Sequence, residues 1–120
     1  MKRWILFLML GVAPNVLAQG AHLKASEAKD HIGETQTVCG KVVSARYASR
    51  SKGQPTFLNL DQPYRNEVFT ILIWGDNSAR FGTPESKYKD EEICVTGKIS
   101  SYRAVPEVIA TEPSQISEQK

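Results

Sequence analysis

The stretch EICVTGKISSY, residues 92–102, alternates apolar and polar side chains and predicts a long β-strand. A second stretch, VCGKV at residues 38–42, shows the same alternation. Each stretch carries one cysteine, Cys94 or Cys39, on the polar side of its alternation. The other face of residues 92–102 is small or apolar and consists of Ile93, Val95, Gly97 and Ile99. These two stretches predict that the chain is built around paired strands.

Further segments with strand character surround these two stretches. The predicted strands in chain order are 35–48, 56–61, 67–74, 92–102 and 107–111. A short helix is predicted from Ser26, with Ala25, Ala28 and Ile32 on one side, and Gly33 is a natural stop. Gly40, inside the first predicted strand, indicates a bulge or a tight bend. Residues 77–90 contain Gly82 and Pro84 and are expected to form at most a broken helical turn.

This order of elements predicts a mainly all-β fold, the five-stranded Greek-key barrel of the oligonucleotide/oligosaccharide-binding (OB) fold. The barrel has a short N-terminal helix and an irregular or short helical link between its third and fourth strands. In this topology the first and fourth strands lie side by side and antiparallel. Cys39 and Cys94 should therefore be cross-strand neighbours on the outer face of the barrel.

The two cysteines are predicted to form a disulfide. An even number of cysteines in an exported chain favours a bridge. This bridge would close a loop of about 55 residues and stabilise the folded state by up to roughly 4 kcal/mol, because it lowers the entropy of the unfolded chain. The alternative is a redox or metal site, but the chain has no CxxC motif and only His22 and His31 could assist a metal ion. The structural bridge is the favoured interpretation, and neither a metal nor a cofactor is predicted.

The N-terminal residues 1–18 are interpreted as a signal peptide. Lys2 and Arg3 precede an apolar run over residues 4–12, and the segment ends on small residues before cleavage after Ala18. The run is shorter than the roughly 20 residues that span a bilayer, so no transmembrane segment is expected after cleavage. We expect a periplasmic or secreted protein, a monomer, with one OB-fold domain at residues 19–120 and its core at about 32–117.

The charge of the processed chain is balanced. Without Lys2 and Arg3 the 15 basic side chains fall to 13, which equals the number of acidic ones. A sequence-independent nucleic-acid binder usually carries a basic excess, because contacts with phosphates dominate its affinity. The overall charge therefore argues mildly against such a role, unless the basic residues are concentrated on one surface.

Several segments resemble the nucleic-acid-binding OB domains of exported bacterial proteins, some of which accompany extracellular nucleases. The resemblance covers roughly residues 32–117 and rests on the order of FLNLD (57–61), VFTILIW (68–74), Arg80-Phe81, VTGKI (95–99), the turn at 102–108 with Pro106-Glu107, and PSQI (113–116). Nuclease motifs are absent from the sequence, so the chain resembles the binding module alone. The resemblance implies single-stranded DNA or RNA as the first ligand to test.

Ligands of OB folds usually lie across the second and third strands, between the loops that join strands one to two and four to five. Basic residues beside aromatic rings are what single-stranded nucleic acid requires there, because cations neutralise phosphates and rings stack on bases. Phe57, Asn59, Thr70 and Trp74 share the outer side if Leu58, Leu60, Phe69, Ile71 and Ile73 fill the core. The candidate ligand-binding residues are Arg46, Tyr47, Arg50, Lys52, Phe57, Asn59, Thr70, Trp74, Tyr102 and Arg103.

Other interpretations of the same residues stay open. The surface could instead bind an envelope protein, a sugar or a small anionic ligand, because a fold does not fix a function. Trp74 could simply cover the rim of the barrel, and Phe57 could be a core residue if the register differs by one. Four other basic residues are interpreted as solvated charges rather than as part of the site: Arg65, Arg80, Lys87 and Lys89. No enzyme is predicted. The sequence shows no histidine in a context suited to acid–base catalysis, no nucleophile motif and no metal-ligand spacing.

Overall fold

The computed structural model describes residues 22–119, which form seven β-strands and five short helical segments. The strands are β1 (Leu23–Lys24), β2 (Thr35–Tyr47), β3 (Thr56–Leu60), β4 (Thr70–Ile73), β5 (Glu92–Tyr102), β6 (Val105–Ile109) and β7 (Ile116–Glu118). The five predicted strands correspond to β2, β3, β4, β5 and β6. Residues 1–18, the predicted signal peptide, lie outside the described part of the chain.

The strands β2 to β6 close into a barrel. The sheet order is β1-β2-β3-β4-β6-β5-β7, and an additional antiparallel pairing between β2 and β5 joins the two ends of the five-stranded portion. The β4–β6 pair is parallel and the other pairs within the barrel are antiparallel. This is the OB-fold arrangement, with β1 and β7 as two added strands, so the predicted fold class is confirmed.

The barrel interior is filled by the apolar side of each strand's alternation. The fully buried large side chains include Val38 and Val42 of β2, Leu58 and Leu60 of β3, Ile71 and Ile73 of β4, Ile93, Val95 and Ile99 of β5, and Val108 of β6. Phe69, just before β4, is also fully buried. The five residues that were predicted to fill the core are therefore all buried: Leu58, Leu60, Phe69, Ile71 and Ile73. The alternate residues of β3 and β4 lie on the outer surface.

The ends of the elements differ from the prediction in several places. Strand β6 begins at Val105 and ends at Ile109, whereas its predicted range was 107–111. The predicted helix is a 3₁₀ helix over Ala25–Asp30, with Ala25 and Ala28 buried and Ile32 45% exposed rather than packed beside them. Strands β1 and β7 were not predicted, because two or three residues are too few to show a periodicity.

The predicted disulfide is present. Cys39 of β2 lies directly opposite Cys94 of β5, and the two residues are bonded. Cys94 is also opposite Ser117 of β7, and it is only 3% exposed. The bridge therefore joins the first and fourth strands of the barrel, as the topology required.

Strand β2 bends at a bulge that lies further along the strand than Gly40. Its register with β3 shifts between Val42 and Ser44. Gly40 instead allows the carboxylate of Asp61 to approach the strand, since a Cβ at Gly40 would lie 2.8 Å from Asp61 Oδ1. The Asp61 oxygen accepts a hydrogen bond of 2.9 Å from the amide of Lys41. The close approach explains the glycine, and the bulge provides the bend that a small barrel needs.

The link between β4 and β5 packs against the core of the barrel. It contains short helical segments at Gly75–Ser78, Ala79–Phe81 and Pro84–Lys87, in agreement with the expected broken helix. Phe81 and Tyr88 are buried and belong to the core cluster. Within residues 22–119, no helix is long and apolar enough to cross a membrane.

Candidate functional site

A groove of about 880 Å³ runs over the outer face of the barrel. It crosses strands β2, β3, β4 and β6 and is bordered by the β3–β4 turn and the β5–β6 hairpin. Its lining consists of Ser44, Ala45, Arg46, Phe57, Asn59, Tyr64, Arg65, Glu67, Thr70, Tyr102, Arg103, Val105 and Glu107. Six of the ten candidate residues therefore come together in one groove: Arg46, Phe57, Asn59, Thr70, Tyr102 and Arg103.

The floor of the groove is a polar row across three strands. Thr70 Oγ1 donates a hydrogen bond of 2.8 Å to Asn59 Oδ1, and Asn59 Nδ2 donates one of 2.8 Å to Ser44 Oγ. Asn59 is 4% exposed and Thr70 is 7% exposed. These two buried side chains are hydrogen-bonded to each other and expose little area to a ligand. Their role is therefore to hold β3 and β4 together beneath a ligand more than to contact it.

One wall of the groove is a series of arginines and aromatic rings. The guanidinium carbon of Arg46 lies 5.0 Å from the centre of the Phe57 ring and 5.5 Å from that of Tyr64. The guanidinium carbon of Arg65 lies 5.5 Å from the same Tyr64 ring. Each distance is within the range of a cation–π interaction. Arg46 therefore lies close to two rings, and all three residues line the groove.

The opposite wall is the hairpin between β5 and β6. Arg103 and Ala104 form its two-residue turn, and both have positive φ angles, of 52° and 70°. Such a turn matches the right-handed twist of the flanking strands, although glycine or asparagine is more usual at these positions. The Arg103 guanidinium carbon lies 5.2 Å from the centre of the Tyr102 ring, which is 61% exposed. The hairpin thus presents a second pair of a cation and an aromatic ring.

Two carboxylates balance part of the positive charge. Glu67 and Glu107 line the groove together with its three arginines, so the lining keeps a positive excess. Glu107 lies opposite Thr70 on β4 and opposite Ser100 on β5. Burial raises the pKa of the Glu107 carboxyl above its usual value, because desolvation penalises the charged form. This carboxylate is placed to accept hydrogen bonds from donors on a bound ligand.

The other four candidate residues lie away from the groove. Tyr47 follows Arg46 and therefore points to the other side of β2, where it lines a smaller pocket of about 160 Å³ with Thr83 and Glu85. Arg50 and Lys52 are exposed in the loop between β2 and β3. Trp74 packs against this loop, since a Cβ at Gly53 would lie 2.9 Å from its ring, and it remains 40% exposed.

The sequence interpretation missed part of the groove. Tyr64 was not among the candidate residues and Arg65 was interpreted as a solvated charge, yet both line the groove, and Tyr64 is 55% exposed. Glu67 and Glu107 were also absent from the candidate set. One sequence signal could have indicated Tyr64 and Arg65: an aromatic residue stands next to an arginine in the turn that follows a candidate ligand-binding strand.

The chemistry of the groove suits a ligand that has both anionic and flat parts. Guanidinium groups form charge-assisted hydrogen bonds with phosphates or carboxylates. Exposed rings such as Tyr64 and Tyr102 offer faces for stacking, and a carboxylate such as Glu107 can accept hydrogen bonds from amino groups on a nucleobase.

Comparison with solved structures supports the fold. An aspartyl-tRNA synthetase from Entamoeba histolytica is 16% identical, with a TM-score of 0.51, over 93% of this chain and 24% of the synthetase. The chain therefore spans about a quarter of that enzyme. A candidate nucleic-acid-binding lipoprotein from Klebsiella pneumoniae is 14% identical, with a TM-score of 0.50, over 88% of this chain and 97% of the lipoprotein.

A third similar structure is OBody AM1L10 bound to hen egg-white lysozyme. It is 14% identical to this chain, with a TM-score of 0.55, and the match covers 83% of this chain and 93% of the OBody. No protein-family model matches the chain, and no curated protein sequence matches it. At these identities the similarities establish a shared fold.

Proposed function

We propose that this chain is an exported, non-catalytic OB-fold protein that binds single-stranded nucleic acid in the groove. The observation that carries the proposal is the alternation of arginines and aromatic rings around the groove, with Arg46 close to Phe57 and Tyr64 and Arg103 beside Tyr102. The groove lies on the face where OB folds usually bind their ligands. Its lining has three arginines and two glutamates, which is a positive excess of one charge.

A single strand fits this groove better than a duplex does. Stacking on Tyr64 or Tyr102 requires the face of an unpaired base, which a single strand offers and a duplex does not. The carboxylate of Glu107 can accept a hydrogen bond from the edge of a base, which is also accessible in a single strand.

The direct test is a titration of a labelled single-stranded oligonucleotide followed by fluorescence anisotropy. Three groove arginines that each contact one phosphate predict that the logarithm of the affinity falls with the logarithm of the salt concentration with a slope of about −2. The same sequence as a duplex is the control and should bind more weakly. Absence of any complex at low salt would exclude nucleic acid as the ligand.

Export is the second part of the proposal. A disulfide is typical of proteins in oxidising compartments outside the cytoplasm, and residues 1–18 have the pattern of a signal peptide. Intact-mass analysis of protein from the cell envelope or medium, alkylated without reductant, is expected to show a chain that starts at Gln19 and has no free thiol. A mass that includes residues 1–18, or two alkylated cysteines, would contradict this.

A second candidate function is protein binding. Phe57 pairs with Leu72 and Leu72 pairs with Ile109, so an apolar row crosses β3, β4 and β6 from the groove residue Phe57 outwards. Ile109 is 40% exposed. A protein partner held by this row should be captured with the chain from native envelope and survive moderate salt, and Ile109→Ser should release it. The nucleic-acid proposal predicts instead that binding weakens as the salt concentration rises and is not lost in Ile109→Ser.

The proposal includes no catalytic step. The groove lining contains two carboxylates but neither a histidine nor a cysteine. The two glutamates are accompanied by three arginines, and this composition serves recognition of an anionic ligand. The proposed role is therefore binding alone.

A further inference from the structure

The disulfide has a histidine beside it. His22 Nδ1 lies 3.5 Å from Cys39 Sγ, and the ligand atoms of His22, Cys39 and Cys94 all lie within 4.8 Å of one another. This cluster is separate from the groove, because none of its members lines it. A His-Cys-Cys set is a group of zinc ligands brought together by the fold, although the three residues are far apart in the sequence.

The position of the histidine follows from the short strand β1. Leu23 pairs with Val38 and Lys24 pairs with Cys39 in a parallel ladder, so the residue before Leu23 is directed along the cysteine-bearing strand. The amide of Lys24 also donates a hydrogen bond of 2.7 Å to Glu27 Oε1 at the start of the 3₁₀ helix. His22 is therefore anchored at the next two residues of the chain, although its own side chain is exposed.

The distance between His22 and Cys39 is that of two ligands in a tetrahedral zinc site. Zinc–sulfur and zinc–nitrogen bonds of about 2.3 and 2.0–2.1 Å imply a ligand–ligand separation of roughly 3.5 Å between a sulfur and a nitrogen. The observed distance between His22 Nδ1 and Cys39 Sγ has this value. Cys94 lies directly opposite Cys39, so the two sulfurs would need only side-chain rotation to separate once they are no longer bonded.

We propose that Cys39, Cys94 and His22 form a redox-gated zinc site, which binds one zinc ion when the disulfide is reduced and none when it is intact. A dithiol reductant opens the bridge by supplying two electrons and two protons, and it becomes a disulfide itself. Zinc then displaces the protons of both thiols, and water occupies the fourth position. Two thiolates and a neutral imidazole leave the zinc site without net charge, which suits a partly buried location.

The test compares the oxidised protein with protein reduced by a phosphine, which opens the disulfide without adding a competing thiol. Zinc is titrated against a chromogenic chelator, and cobalt(II) is used as a spectroscopic substitute. The reduced protein is expected to bind one zinc ion per chain and to show thiolate-to-cobalt charge-transfer absorption, and the oxidised protein is expected to show neither. Equal zinc binding by the two forms would overturn the proposal.

The histidine provides the second arm of the test. His22→Ala is expected to weaken zinc binding by the reduced protein at least about tenfold, since even residues that only support a metal ligand have effects of that size. His31→Ala is the matched control, because His31 instead pairs with Glu34 at 2.8 Å. If the His22 variant bound zinc as tightly as the wild type, the three-ligand site would be refuted.

Circular dichroism separates folding from binding. If the reduced protein stays folded, the zinc titration alone decides between the two outcomes. If it unfolds, the proposal predicts that zinc restores the β-sheet spectrum, because metal binding then supplies free energy of folding. Failure of zinc either to bind or to restore the spectrum would overturn the proposal. Neither result bears on the groove, so the nucleic-acid proposal stands or falls separately.

Discussion

Replacement of Cys39 and Cys94 by alanine is expected to lower the free energy of unfolding of the oxidised protein by about 3 kcal/mol. The bridge spans a sequence separation of 55 residues and joins β2 to β5, the pair that closes the barrel. Without it the unfolded chain regains the conformational freedom that the loop had removed. For a domain of this size the melting temperature should fall by more than about 12 °C. Thermal and urea unfolding of the two proteins without reductant provide the measurement.

The matched control removes a non-covalent link between the same strands. Thr37 and Thr96 lie opposite each other, two residues from the bridge on each strand, and their Oγ1 atoms form a hydrogen bond of 2.7 Å. Changing both threonines to valine should cost no more than about 1.5 kcal/mol, the upper range for one hydrogen bond. If the cysteine variant lost no more stability than the threonine variant, the bridge would not be the main constraint on barrel closure.

Arg46→Ala is expected to weaken binding of a single-stranded oligonucleotide by about 10- to 100-fold, the value of one charge-assisted hydrogen bond of roughly 1.5–3 kcal/mol. Arg46 is chosen because it lies near two rings of the groove, Phe57 and Tyr64, whereas Arg65 and Arg103 each lie near one. Loss of one phosphate contact should also reduce the salt slope by about 0.7. Anisotropy titrations at several salt concentrations measure both quantities.

Arg80→Ala is the control for a general loss of positive charge. Arg80 is exposed, lies outside the groove and forms an ion pair of 2.6 Å with Glu112. Its replacement removes the same charge but no groove contact, so the affinity should change by less than about threefold, as expected for a screened surface charge. Equal losses for the two variants would mean that binding depends on net charge and not on the groove. Thermal melting of each variant confirms that it remains folded.

The strands and the core could be predicted because both depend on local periodicity. Alternation in β2, β3, β4 and β5 identified which side chains enter the barrel, and five residues of β3 and β4 and their border were assigned to the core correctly. The bond between Cys39 and Cys94 was predicted from the even number of cysteines, and the barrel topology agreed with it. Strands β1 and β7 were missed because they form only by adding to the edges of strands that are already in place.

The candidate site was predicted less completely. The outer faces of β3 and β4 and the β5–β6 hairpin contributed as expected, but Tyr47 faces the opposite side of β2 from Arg46. Alternation implies that consecutive strand residues point in opposite directions, so Arg46 and Tyr47 could not both line one groove. Tyr64 and Arg65 were missed because a turn has no periodicity from which the direction of its side chains can be predicted.

The sequence alone determined the number and order of the barrel strands, the residues that fill the barrel and the cysteines that are bonded. These features depend on the apolar and polar alternation of single segments, which the chain carries locally. Only the tertiary structure decided that Arg46 lies close to Phe57 and Tyr64 and that His22 lies beside Cys39. Those contacts join residues from different segments, and their geometry arises from barrel closure and strand register, which no single segment encodes.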